Sequence, residues 1–148
     1  MKEVSYFAPT EVGEAAKLLA EYGDKAAILA GGTDLVAQLN YYEVKPAALL
    51  YIGGLGLDYV REKGGKLVIG AGTTTAHLLA SDLVAQKFPV LAAAAATHGS
   101  PAVRTVATIG GNLGTASPRQ WPRVTRLTTS APQPGTARKP GRHSLAEL

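Results

Sequence analysis

The chain has 148 residues, 15 Lys+Arg against 11 Asp+Glu, and 46% AVILMFWYC residues. That is globular composition and enough length for one hydrophobic core, not the charge-rich, apolar-poor make-up of a disordered chain. With no cysteine, disulfides, thiolate metal sites, cysteine nucleophiles and iron–sulfur ligation by this chain are excluded, and a reducing compartment such as the cytoplasm fits. No apolar stretch reaches the roughly 20 residues of a membrane span, and the first nine residues lack the apolar core of a secretory signal. The charge is uneven: residues 1–118 hold nine basic and ten acidic residues, a net of −1, and residues 119–148 hold six basic and one acidic, a net of +5. Pro122, Pro132, Pro134 and Pro140 also fall in that last stretch, which reads as a disordered or poorly packed tail.

In chain order, the body reads as α+β. Val4, Tyr6 and Ala8 alternate as a short strand ending at Pro9. Thr10 is placed to cap a helix carrying Val12, Ala15, Ala16, Leu19 and Tyr22 on one face and stopped by Gly23. Residues 26–30 form an apolar strand, Thr33-Asp34 opens a second helix with Leu35, Val36 and Leu39 on one face, and residues 48–52 form another strand. Residues 59–62 and 66–69 flank Lys63-Gly64-Gly65 as a hairpin. Residues 73–79 begin a helix, Pro89 opens another through Ala96, and residues 106–109 read as a strand running into Gly110-Gly111-Asn112.

Two strand–Gly–Gly units stand out: Leu29-Ala30-Gly31-Gly32-Thr33-Asp34-Leu35 and Thr108-Ile109-Gly110-Gly111-Asn112. Glycine lets backbone N–H groups come close to a ligand, and unpaired N–H groups at a helix start suit phosphate oxygens. Either pair alone is an ordinary turn. Together they suggest a diphosphate gripped from two sides. The Gly70-Ala71-Gly72-Thr73 stretch fails as a dinucleotide fingerprint, because Thr75 stands where Gly or Ala is needed and no acid follows near Val90. Gly64-Gly65-Lys66 lacks the Ser or Thr of a P-loop. His77, His98 and His143 have no metal-ligand spacing; neither a metal centre nor a catalytic nucleophile–base set is expected. Arg104 reads as a surface charge or an anion contact.

At these loops the sequence resembles the FAD-binding medium subunit or domain of molybdenum hydroxylases, the carbon monoxide dehydrogenase and xanthine dehydrogenase group. The pieces are Tyr6-Phe7-Ala8-Pro9, Glu14-Ala15, Ala30-Gly31-Gly32-Thr33-Asp34-Leu35, Ile69-Gly70-Ala71-Gly72-Thr73-Thr74, residues 104–112, and Ala116-Ser117-Pro118. The resemblance implies the fold shared with vanillyl-alcohol oxidase and p-cresol methylhydroxylase, and FAD as cofactor. It places residues 29–35 around the diphosphate, residues 108–112 closing on it, Thr73 and Thr74 toward the flavin, and His98 near the second loop. It also implies partners: a molybdenum-cofactor large subunit and a cysteine-rich iron–sulfur small subunit. The flavin would then carry electrons from iron–sulfur clusters to an acceptor. The expected layout is a FAD-binding domain over 1–118, with a first subdomain over about 1–55 and the start of a second over about 56–118. After Pro118 the family's acid near Trp121 and its next apolar strand are absent. Residues 119–148 therefore read as an aberrant, frame-shifted end. The competing readings are a truncated, non-catalytic remnant and a nucleic-acid module using the basic tail. The second lacks stacking aromatics beyond Trp121. A cell-wall-precursor reductase of the same superfamily fits the Thr-Ile-Gly-Gly-Asn and Ala-Ser-Pro motifs less well.

Overall fold

The computed structural model describes residues 4–115. The expectations for Ala116-Ser117-Pro118, Trp121 and the tail 119–148 lie outside the described residues.

The first part of the chain builds a small parallel sheet. Strand β1 (Ser5–Phe7) leads through helix α1 (Val12–Tyr22) to β2 (Ala26–Leu29); helix α2 (Leu35–Asn40) then leads to β3 (Ala48–Tyr51). β3 enters between the other two, giving the order β1-β3-β2, with Phe7 and Ile28 both in register with Leu50. The central strand is the buried one: Ala48 and Leu50 are fully inaccessible. α1 turns its apolar face to the sheet, burying Ala15, and the Phe7 and Tyr22 rings meet at 5.4 Å between centroids. The α1 start differs by one residue from expectation. Glu11, in extended conformation, occupies the cap position, and no side chain caps the helix.

The second part is a hairpin covered by short helices. β4 (Val60–Lys63) and β5 (Lys66–Ile69) pair antiparallel, Val60 opposite Ile69, around the Gly64-Gly65 turn. Helices α3 (Thr75–Ala80), α4 (Asp82–Lys87) and α5 (Pro89–Thr97) follow. Thr74 and Ser81 cap α3 and α4 with their hydroxyls, and Pro89 sits in the first turn of α5 as its missing N–H allows. Leu78, Val84, Leu91, Ala95 and Ile109 form the main core, with Val60, Leu67, Ile69 and Ala92 packed against it. Burying each large side chain there stabilises by on the order of 2 kcal/mol.

The expected strand over 106–109 is corrected. Those residues end helix α6 (Pro101–Val106) and begin helix α7 (Ile109–Thr115). The β-branched residues Val103, Val106 and Ile109 read locally as strand. The Ser100 hydroxyl, accepting from Val103 N–H, and Pro101 at the first turn start a helix instead. What survives of the strand is one antiparallel bridge, Thr74 to Thr108.

Candidate functional site

A cavity of about 450 Å³ lies where the two parts meet. Ala30 and Gly31 line it from the carboxyl end of β2, and Tyr51, Ile52 and Gly53 from the end of β3. That is where open parallel sheets usually place ligands. Leu57, Asp58, Gly72, Thr74, Thr105, Val106 and Thr108 complete the wall.

The first glycine loop is shaped by a close approach. A Cβ on Gly31 would lie 1.8 Å from the Val106 carbonyl oxygen, so only glycine lets the end of β2 dock on the end of α6. Gly32 has φ of 72°, a left-handed conformation that favours glycine. The N–H groups of Gly31, Gly32 and Thr33 donate to no group among the described residues, although Val36 N–H already bonds back to the Gly32 carbonyl at 3.0 Å. The Asp34 side chain does not cap α2.

The second glycine loop is wired internally. Ile109 N–H donates to Thr73 O at 2.9 Å, Gly110 N–H to Ala71 O at 2.8 Å, and Asn112 N–H to Thr108 O at 3.0 Å. Gly111 N–H donates to the Thr108 hydroxyl at 3.1 Å. Gly110 packs on Ala71, whose carbonyl oxygen would stand 2.7 Å from an added Cβ. The Asn112 side chain is the exception. It is buried, and its Nδ2 has no hydrogen-bond partner among the described residues, which is costly unless something else accepts from it.

Thr74 and Thr108 lie side by side across their bridge, each at a helix start. Each hydroxyl accepts one backbone N–H, Thr74 from His77 and Thr108 from Gly111. Each hydroxyl hydrogen remains available to an acceptor. Thr73 is different: its buried hydroxyl accepts from Tyr59 N–H at 3.1 Å and donates to Tyr59 O at 2.9 Å. That exchange pins the residue before Val60 and leaves Thr73 off the cavity wall.

His98 is 4% exposed and shares a 3.0 Å hydrogen bond with Thr75 Oγ1, which also reaches the Ala107 carbonyl at 3.3 Å. Burial lowers its pKa below the usual 6.5; the Asp34 carboxylate opposes the shift and Arg104 adds to it. Through Thr75, His98 is tied to the Ala107 carbonyl in the turn before the second loop. Arg104 is tied to the protein: one guanidinium nitrogen donates to the carbonyls of Ala96, His98 and Gly99. Those bonds cap the end of α5.

Of the residues singled out from sequence, Ala30, Gly31, Thr74 and Thr108 line the cavity; Leu29, Gly32, Thr33, Asp34, Leu35, Thr73, His98, Ile109, Gly110, Gly111 and Asn112 stand behind or beside it. Sequence reading missed Tyr51, Ile52, Gly53, Leu57, Asp58, Gly72, Thr105 and Val106. The ends of parallel strands were a usable signal for the first three. The described residues contain no His/Asp/Glu group able to hold a metal ion.

This geometry defines a class: an α+β domain with hydrogen-bond donors of a glycine loop and two threonines gathered at a cavity. Comparison with known proteins narrows it. A family model described as the FAD binding domain in molybdopterin dehydrogenase matches residues 2–125, and the chain belongs to that family. It is 40% identical over 119 residues to the nicotinate dehydrogenase FAD-subunit of Eubacterium barkeri, a match spanning 79% of this chain and 40% of that subunit. It is 39% identical over 114 residues to the carbon monoxide dehydrogenase medium chain of Hydrogenophaga pseudoflava, covering 76% of this chain and 40% of that one. Among solved structures, carbon monoxide dehydrogenase from Hydrogenophaga pseudoflava superposes with a TM-score of 0.73 at 38% identity, over 75% of this chain and 39% of that chain. Quinoline 2-oxidoreductase from Pseudomonas putida 86 does so with a TM-score of 0.71 at 31% identity, again over 75% and 39%. The chain therefore spans 40% of the length of the curated relatives it matches.

The residues present fit FAD, the family's cofactor. The N–H groups of Gly31, Gly32 and Thr33, two hydroxyl hydrogens at Thr74 and Thr108, and the Asn112 amide, all without an acceptor among the described residues, are donors. A diphosphate is all acceptors.

Proposed function

We propose that the chain is the FAD-binding, electron-transferring component of a molybdenum hydroxylase-type oxidoreductase, with the p-cresol methylhydroxylase-type arrangement of subdomains split near residue 55. The observation that carries this is the donor set around the cavity, gathered from both glycine units of the family pattern. Residues 30–33 would hold the diphosphate, with Thr108 and Asn112 closing on it and Thr74, beside Thr108, toward the flavin. His98, neutral at pH 7 because burial lowers its pKa, would hold the Asp34 loop against Thr75. FAD, when bound, supplies the redox chemistry, which accounts for a site with binding groups and no nucleophile–base set. With no cysteine in the chain, iron–sulfur clusters would belong to a partner, and the molybdenum centre to another. No helix among the described residues is long and apolar enough to cross a membrane, and the cysteine-free composition suits the cytoplasm.

The test is a titration of the purified full-length chain with FAD, followed by flavin absorbance after gel filtration. The expected result is flavin co-eluting with the protein. A chain that stays colourless at saturating FAD overturns the reading.

A further inference from the structure

Among the described residues, Asp58 is the one charged side chain on the cavity wall. Its Oδ1 is held 2.6 Å from His77 Nδ1, in a pair whose members are 54% and 40% exposed. Its other carboxylate oxygen bonds to nothing among the described residues. Thr105, also on the wall, has given its hydroxyl hydrogen to the Ala102 carbonyl at 2.7 Å; the two other wall threonines are arranged differently. Thr74 and Thr108 have each spent acceptor capacity on a backbone N–H and keep a donor. Gly31 adds a donating N–H. The cavity therefore has a sense: donors around the glycine loop, and one fixed anionic acceptor at Asp58.

A phosphate cannot use an anionic acceptor, and like charges repel. A sugar hydroxyl can, and carboxylates recognise ribose hydroxyls in other dinucleotide sites for this reason. His77 is in the first turns of α3, capped by Thr74, so the cavity-wall residue Thr74 and the group orienting Asp58 belong to one rigid element. The exposed pair Lys87–Glu62, 2.9 Å apart, is a useful contrast: neither member touches the cavity.

We propose that Asp58 is a hydroxyl-recognition residue of this cavity, accepting a hydrogen bond from a sugar hydroxyl beside the diphosphate, and that His77 is its positioning residue. The inference rests on the proposed FAD site and adds a determinant the glycine loops do not contain. The hydroxyl belongs either to the ribityl chain or to the adenosine ribose.

Calorimetric titration of the full-length chain and its variants separates the outcomes. Asp58→Asn should weaken FAD binding about tenfold, the size expected for loss of a hydrogen bond to a charged group. Thermal unfolding should barely change, because exposed ion pairs contribute little. His77→Ala should weaken binding less, and His77→Gln, which keeps a donor, should restore it. The double variant Asp58→Asn/His77→Ala should bind no worse than Asp58→Asn alone. Fragments locate the hydroxyl. If the preference for riboflavin over lumiflavin collapses in Asp58→Asn, it is the ribityl chain. If the preference for ADP over 2′-deoxy-ADP collapses, it is the ribose. Unchanged or tighter FAD binding by Asp58→Asn, or neither preference collapsing, overturns the proposal while the FAD site stands. A parent chain that binds neither FAD, riboflavin nor ADP overturns the proposed function and this inference with it.

Discussion

In residues 30–35 the N–H groups of Gly31, Gly32 and Thr33 bond to nothing among the described residues, whereas in residues 108–112 the N–H groups of Ile109, Gly110, Gly111 and Asn112 are all taken by the protein itself. Both stretches carry Gly-Gly ahead of polar residues. The first sits between a strand and a helix, and among the described residues its donors are not used by the fold. The second lies inside the opening turn of α7 and clamps that helix onto residues 71–73. Toward the cavity it turns the Thr108 hydroxyl, with the buried Asn112 amide behind it. A glycine pair reports a close approach; which neighbour approaches decides whether the pair binds a ligand or the fold.

That contrast can be broken by adding one methyl group at a time. Gly31→Ala should have the largest effect, a loss of more than about 3 kcal/mol, because the Val106 carbonyl stands 1.8 Å from the new atom and is backbone. Urea denaturation would show it, with loss of flavin binding alongside. Gly110→Ala should cost about 2 kcal/mol, since the Ala71 oxygen and Cβ lie 2.7 and 2.8 Å away. Gly111→Ala should stay within about 1 kcal/mol of the parent, because the atom it meets, at 2.9 Å, is the Thr108 hydroxyl rather than backbone. Equal losses at Gly31 and Gly111 would erase the distinction.

Asn112→Leu sharpens it differently. Removing an unpaired buried amide should leave the free chain as stable or more stable by up to about 1 kcal/mol, while FAD affinity falls about tenfold. Stability from denaturation and affinity from titration should move in opposite directions; a drop in both would make the amide structural.

The smallest effect is a pH dependence at His98. Above pH 6.5, the group's ordinary value, the imidazole is neutral in folded and unfolded chains alike. As pH falls through 6.5 the unfolded chain gains a proton that the buried side chain resists, so stability declines until the lowered folded value is passed. Urea midpoints at pH 7.5 and 5.5 should differ more for the parent than for His98→Gln. An equal difference would mean His98 does not titrate as described.

Much of this domain was readable along the chain. The Gly64-Gly65 hairpin, the α1 stripe from Val12 to Tyr22 and the Pro89 start of α5 all stand where periodicity and turn residues put them. The failure at residues 106–109 has a plain cause. Val106-Ala107-Thr108-Ile109 is β-branched and alternating, and the Ser100-Pro101 start, only a few residues upstream, outweighs it. Asp58 was invisible as a site residue because its partners are distant: His77 lies 19 positions on, and the glycine loop lies on the other side of the sheet's central strand in sequence.

Signals confined to neighbouring residues, such as alternation, capping and turn chemistry, were enough for the element types up to residue 70, the near-neutral body and the family pattern. Packing supplied the rest. That Gly31 must lack a side chain, that Thr74 and Thr108 stand together, and that Asp58 joins their cavity depends on contacts between segments far apart in the chain. No local propensity encodes such contacts; among the described residues they follow from how the sheet, the hairpin and the seven helices pack together.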